Sequence, residues 1–208
     1  MDIISLSLGL AFTNCHIYYN KENKNCIILD PGAESDAIIN RIKAEALRPL
    51  AILLTHGHFD HIGAVDHLAS YYNIPSYSSK YAQKMASNSD LNASKNLLGK
   101  HILANISNII DETIEDFAVD KFRFKVIQTP GHTPGCMSFY VPGQNILFSG
   151  DVLFFGSYGR VDFSYSSFDD IKVSIAKLFD LPENTMVYSG HGQPTTIGQE
   201  KMHNIINI

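Results

Sequence analysis

The sequence predicts an α/β fold with mixed sheets, arranged as a four-layered αββα sandwich. Three observations lead there. Apolar runs of strand length alternate with amphipathic helical stretches along most of the 208 residues, the pattern of βα units on a sheet. The opening residues instead join strands through a polar turn, which makes part of the sheet antiparallel. The second half of the chain repeats the first in outline, so two halves, each a sheet with its helices, meet across their sheets.

Residues 2–8 and 14–19 read as strands, and Lys21-Glu22-Asn23-Lys24-Asn25 as a hairpin turn before a strand at 26–30. Asp30-Pro31-Gly32 breaks the chain, and Ser35 with Asp36 is expected to cap a helix to about Leu47, in which Ile38, Ile39, Ile42 and Leu47 recur near helical spacing. A buried strand at 50–54 follows, then a helix carrying Ile62, Val65, Leu68 and Ala69, a short strand at 74–78 and a helix capped by Ser79 through Met85. The stretch 87–108 is rich in Asn and Ser and reads as a mostly irregular surface excursion, with His101 a solvated histidine. Strands return at 108–110, 122–128, 136–141 and 145–149, the last two joined by Pro142-Gly143-Gln144. An amphipathic helix at 168–180, with Ile171, Val173, Ile175, Leu178 and Phe179 mostly on one side, precedes a strand at 185–189.

Composition sets the class. With 45% hydrophobic and 18% charged residues, no run of about 18 apolar residues and a net charge of −5 without clustered Lys or Arg, neither a membrane span nor a nucleic-acid surface is expected. The N-terminus begins acidic and lacks a cationic leader region, so it reads as a first strand rather than an export signal. Three widely spaced cysteines, Cys15, Cys26 and Cys136, form no CxxC and indicate neither a disulfide framework nor a thiolate metal site. A cytoplasmic protein with one domain over residues 1–208 is the expectation. Apolar Ile205, Ile206 and Ile208 leave monomer and homodimer both open, with burial against the same chain favoured.

The chemistry is concentrated in Thr55-His56-Gly57-His58-Phe59-Asp60-His61-Ile62-Gly63, at the carboxyl end of the strand 50–54. His56 and His58, two apart on extended chain, project to the same side and suit one metal ion. Asp60 and His61, at the start of the next helix, are displaced towards a second. Three further strand ends each deliver one ligand-type side chain beside glycine: Gly131-His132, Ser149-Gly150-Asp151 and Ser189-Gly190-His191-Gly192. Taken singly, each has an ordinary reading as a turn or cap residue; the repetition at four strand ends is what points to a metal site.

Together these motifs resemble the metallo-β-lactamase superfamily in its dinuclear hydrolase form, along nearly the whole chain. The resemblance implies that His56, His58 and His132 ligate a first metal, that Asp60, His61 and His191 ligate a second, and that Asp151 bridges both. It also implies that Asp60 and Asp151 are catalytic, with Asp60 orienting the nucleophile. A nitrogen and oxygen donor set without thiolate suits two divalent ions, zinc first and iron or manganese as alternatives. Asp151-Val152-Leu153-Phe154, Gly156-Ser157-Tyr158-Gly159-Arg160-Val161-Asp162-Phe163 and the run from Gly190 to Lys201 are similar to the short glyoxalase II-like bacterial hydrolases. That similarity implies a thioesterase acting on small hydroxyacyl-glutathione-type thioesters, without the C-terminal helical domain of full glyoxalase II. Arg160 is a candidate for a substrate carboxylate or, equally, for a pair with Asp162 or Asp169; Tyr158 is a candidate for the pocket wall. Asp at 151, where subclass B1 β-lactamases carry Cys, and the missing export signal speak against an antibiotic-degrading enzyme. The rivals are a mononuclear iron persulfide dioxygenase, which the chain also resembles, then a lactonase or a non-catalytic metal-binding scaffold.

Overall fold

The computed structural model describes residues 1–206. The chain divides into two compact units, one spanning Met1–Ile110 and one running from Asp111 onward. Among the described residues, each unit contains one six-stranded sheet of mixed direction.

The first unit opens with β1 (Asp2–Leu8), β2 (Thr13–Tyr19) and β3 (Asn25–Leu29), an antiparallel meander. It continues with α1 (Ser35–Ala44), β4 (Arg48–Leu53), α2 (Phe59–Ile62), α3 (Val65–Tyr72), β5 (Ser76–Ser78), α4 (Lys80–Ala86), α5 (Ser94–Leu98) and β6 (Asn108–Ile109). From β3 to β6 the neighbours are parallel, because each return passes through a helix or a long excursion. Ile38, Ile39 and Ile42 of α1 share one buried cluster with Val65 and Leu68 of α3 and with Ile28 and Ile52 of β3 and β4. Burial of this apolar face, rather than helix propensity, holds the short helices in place.

Several sequence expectations are corrected here. The first helix stops at Ala44, three residues before Leu47, because Ala46 turns left-handed at φ 55° and the Leu47 amide closes back on the Ile42 carbonyl. Ser35 does not cap it: Glu34 occupies the cap position without a side-chain bond, and the Ser35 hydroxyl meets His67 Nδ1 at 2.6 Å. The helix expected around Ile62 to Ala69 is two helices, α2 and α3. The break falls where the Ala64 amide donates to the Pro31 carbonyl and a side chain at Gly63 would strike the Gly32 carbonyl. Residues 87–108 are better ordered than expected and include α5. Buried Asn92 donates to the Ile102 carbonyl and accepts from the Ser94 amide, while the Ser94 hydroxyl accepts from the Ile102 amide. The same Asn and Ser content that reads as loop supplies these local backbone partners. His101 is exposed, with its Nδ1 2.8 Å from the Ser89 hydroxyl. Ser79, as expected, caps α4 by accepting from the Ala82 amide.

The second unit comprises β7 (Asp116–Val119), β8 (Phe122–Gln128), β9 (Met137–Val141), a 3-10 turn (Pro142–Gln144), β10 (Ile146–Gly150), the hairpin β11 (Leu153–Phe154) with β12 (Ser157–Tyr158), α6 (Phe168–Phe179), β13 (Met186–Ser189), β14 (Thr195–Thr196) and α7 (Ile197–His203). Its sheet runs β14-β13-β10-β9-β8-β7, antiparallel except between β10 and β13, the pair that α6 connects. Ser167 caps α6 by accepting from the Asp170 amide, and Ile171, Ile175 and Leu178 pack with Leu147 and Val187. Val173, expected on that face, is 58% exposed; the helix turns it outward.

Ile206 is buried and Ile205 exposed, while Ile208 lies outside the described residues. The three cysteines are buried thiols. Burial pushes the Cys15 thiol up and that of Cys26 to about 12, so neither is a thiolate at neutral pH. No helix among the described residues is long and apolar enough to cross a membrane.

Candidate metal centre

Each unit carries part of the predicted ligand set, and in each the set is built at strand ends. In the first unit β4 stops at Leu53, and the chain bends at Thr55 and reaches His58 in an extended conformation before α2 begins. Gly57 is required there: a Cβ would collide with the Ala82 carbonyl of α4. His56 and His61 are fully buried and His58 nearly so.

The orientation of His56 follows from a short hydrogen-bond relay. Asp30, at the end of β3, accepts the Thr55 amide at 2.8 Å and the Thr55 hydroxyl at 2.7 Å. A hydroxyl has one proton, and here the carboxylate takes it, so the Thr55 oxygen must accept from His56 Nδ1, 3.1 Å away. His56 therefore carries its proton on Nδ1 and its lone pair on Nε2. That Nε2 lies 3.0 Å from His58 Nδ1. Two nitrogens bound to one tetrahedral ion at 2.0–2.1 Å would stand about 3.4 Å apart, so the pair is close to bidentate spacing.

His61 lies against the same carboxylate, Nδ1 to Asp30 Oδ2 being 3.1 Å, with Nε2 3.7 Å from Asp60 Oδ2. Asp60 is held in turn by Thr13 of β2, whose hydroxyl donates to Oδ2 at 2.8 Å. Gly32 completes the packing, since a Cβ there would strike the Asp60 carbonyl. Asp30 itself sits at φ 49°, a left-handed conformation that Asp tolerates better than most residues.

In the second unit His132 follows β8 on a turn that only glycine permits: Gly131 has φ 140°, and a Cβ would run into the Ile171 backbone of α6. The Ser166 hydroxyl donates to the His132 carbonyl at 2.7 Å, and His132 Nδ1 lies 2.8 Å from the Arg160 carbonyl. A carbonyl only accepts, so Nδ1 is protonated and Nε2 holds the lone pair. Nε2 faces Asp151, 3.7 Å from Oδ2, and His191 Nε2 approaches the same oxygen at 3.3 Å. Asp151 and His191 thus meet at the ends of the parallel neighbours β10 and β13, joined there by the Gly190 amide donating to the Gly150 carbonyl at 2.9 Å. Gly159 lets the following loop close over this point, because a Cβ would strike the Asp151 carbonyl.

The substrate candidates are placed differently. Arg160 is clamped by Asp162, Nε and one terminal nitrogen each donating at 2.6 Å, and its guanidinium lies 4.6 Å from the centre of the Phe163 ring. The Arg160 guanidinium holds the Asp162 carboxyl down at about 2. Tyr158 is half-buried, paired with Leu153 across the hairpin and packed on the unit's apolar cluster.

Sequence reasoning missed Asp30, Thr55, Thr13 and the Arg160 carbonyl as orienting groups. A signal for Asp30 was present: like Asp151 it is an acidic residue at a strand end, and it is followed by the chain break Pro31-Gly32. The other three have none, because a hydroxyl or carbonyl declares its partner only in three dimensions. Buried imidazoles with assigned lone pairs, carboxylates and no thiolate make a donor set that fits divalent metal ions.

Residues 8–191 match the metallo-beta-lactamase superfamily, and the chain belongs to it. The protein is a metallo-hydrolase of that superfamily, with its fold of two large mixed sheets and flanking helices. Its curated relatives include the probable metallo-hydrolase YqgX of Bacillus subtilis, 39% identical over 188 residues, covering 90% of this chain and 89% of the relative. They also include the hydroxyacylglutathione hydrolase GloC of Haemophilus influenzae, 36% identical over 210 residues, covering 98% and 97%. Among solved structures, the BLEG-1 B3 metallo-beta-lactamase superimposes with a TM-score of 0.95 at 41% identity, covering 98% of each chain.

Proposed function

We propose that the two units act as one hydrolase domain, in which His56, His58 and His132 hold one divalent ion, Asp60, His61 and His191 a second, and Asp151 bridges them. The substrate is a small-molecule thioester of the hydroxyacyl-glutathione class, cleaved by a monomer or homodimer. The observation that supports the thioester most is the near full-length similarity to GloC, a hydroxyacylglutathione hydrolase by name. Bound ions would lower the pKa of a shared water towards about 7, making a hydroxide nucleophile available at neutral pH. The chain's own residues do the positioning. Thr13 fixes the Asp60 carboxylate, the Asp30–Thr55 relay fixes His56, and the Arg160 carbonyl fixes His132, so the donors need little reorganisation when the reaction begins. A thiolate leaving group, with an ordinary thiol pKa of about 8.5, departs without a dedicated acid. Arg160 would meet a substrate carboxylate by exchanging it for Asp162, and Tyr158 would face the acyl or thiol group from the same loop.

A second reading is favoured by the 41% identity to a B3 metallo-beta-lactamase structure: hydrolysis of a β-lactam ring by the same centre. Metal content per chain, measured with S-lactoylglutathione and chromogenic cephalosporin turnover in one preparation, separates the readings. Two metals per chain with chelator-sensitive thioester cleavage supports the first. Cephalosporin turnover without thioester cleavage supports the second. One iron per chain with oxygen consumption on glutathione persulfide overturns both.

A further inference from the structure

We propose that Glu200 is a positioning residue for His191: it clamps the tip of the β11–β12 hairpin, and the Phe154 ring of that hairpin fixes the plane of the imidazole. The inference rests on the reading of His191 as a metal ligand and goes beyond it by assigning what orients the ring. Phe154 meets His191 edge to face, with the ring centres 5.9 Å apart and the planes at 88°, a favoured aromatic geometry. The contact matters most at this histidine. Its side chain is 29% exposed, against 3% for His132 and 0% for His61, so less protein encloses it.

The hairpin cannot hold Phe154 in place unaided. It has two residues in each strand, too few for a ribbon that is stable alone. Leu153 and Tyr158 fasten its base to the apolar cluster, but Phe155 at the tip is 49% exposed, so burial does not secure that end. Glu200 of α7 does. On a residue only 1% exposed, its Oε2 accepts the Gly156 amide at 2.9 Å and the Asn204 side-chain amide at 2.7 Å, while Oε1 accepts the Thr195 hydroxyl at 2.6 Å. Asn204 also donates to the Ser157 carbonyl at 2.8 Å, and Ser157 is the cross-strand neighbour of Phe154. The clamp therefore closes on the residue opposite the ring. A carboxylate buried this deeply is expensive, and an apolar side chain would pack the inner face of α7 without that penalty. Three bonds to three segments, β14, the hairpin tip and the chain after α7, supply the reason for its presence.

The test follows the His191 ring and the metal, independently of turnover. Long-range nitrogen–proton NMR of the metal-free full chain should show one set of His191 ring signals in the wild type. In Phe154→Leu, Glu200→Ala and the milder Asn204→Ala those signals should broaden or split, with the His132 ring signals unchanged. Zinc titration against a chromophoric chelator should show one of the two ions bound about tenfold more weakly in these variants. Glu200→Gln should restore both readouts, because its remaining oxygen can serve Gly156 and Asn204 while its NH2 turns to the Thr195 hydroxyl, which then accepts. Phe154→Leu with wild-type His191 signals and zinc affinities overturns the proposal. So does a Glu200→Ala or Asn204→Ala chain that melts at lower temperature yet keeps both, since the clamp then serves stability alone. A wild type that takes up a single zinc ion overturns the dinuclear reading instead, and the metal-free spectra then decide the clamp by themselves.

Discussion

Replacing Asp30 by Asn changes one atom and tests the relay behind His56. The carboxylate accepts both the amide and the hydroxyl of Thr55, at 2.8 and 2.7 Å, and is 2% exposed. In the variant one oxygen becomes an NH2 group, which cannot accept the Thr55 hydroxyl proton. The hydroxyl must then turn and donate to His56 Nδ1, which forces the imidazole proton onto Nε2 and removes the lone pair that faces His58. A hydrogen bond to a charged group contributes about 1.5–3 kcal/mol. For a chain of this size each kcal/mol shifts Tm by about 2–4 °C, so the apo-protein should melt about 3–12 °C lower. Metal affinity should fall by about 10–100-fold, the usual effect of losing an outer-shell orienting group. Differential scanning calorimetry of the apo-protein and competition with a chromophoric chelator read the two effects separately. An Asp30→Asn protein with unchanged metal affinity would refute the tautomer argument even if its Tm fell, because stability loss alone needs only the lost bond.

Three further outcomes follow from other parts of the structure. Thr13→Val, which frees Asp60 Oδ2 from its hydroxyl donor, should reduce turnover about 10–100-fold with a Tm change of only a few degrees; steady-state kinetics on the metal-loaded enzyme checks it. Gly131→Ala should cost about 2–4 kcal/mol in urea unfolding, since φ 140° is closed to alanine and its Cβ would meet the Ile171 backbone. The Asp162 carboxyl is depressed to about 2 by Arg160, so its stabilising pair is complete above the unfolded value near 3.9 and is lost as pH falls through about 2. Because the Asp162 side chain is exposed, Asp162→Asn should leave Tm at pH 7 within about 2 °C and should flatten the acid limb of the wild-type stability profile between pH 4 and 2.

Much of the fold could be read in advance. β1, β2, β8 and α6 fall at or within a residue or two of their expected positions, because each has a clear hydrophobic period and a turn or cap at its ends. The errors share one cause. The first helix ends early where the Leu47 amide closes back on Ile42, the helix at 62–69 breaks in two where Ala64 bonds Pro31, and residues 88–102 become ordered where Ile102 meets Asn92 and Ser94, each through a bond outside regular helical or strand periodicity. A hydrophobic period records none of those bonds. The short strands β7, β11, β12 and β14 and the helix α7 carry too few residues for a period to show.

By itself the sequence determined the superfamily, the alternation of strands and helices, and which imidazoles and carboxylates stand at strand ends, because ligand chemistry and backbone period are properties of residue type and spacing. Only the tertiary structure decided what orients those side chains. Asp30 reaches Thr55 across 25 positions, Thr13 reaches Asp60 across 47, and the Arg160 carbonyl meets His132 across 28. It also decided that Arg160 is clamped by Asp162 and that Glu200 accepts the Gly156 amide at the hairpin tip. A hydrogen bond is set by distance and angle in space, and the groups that make it announce nothing in the order of the chain.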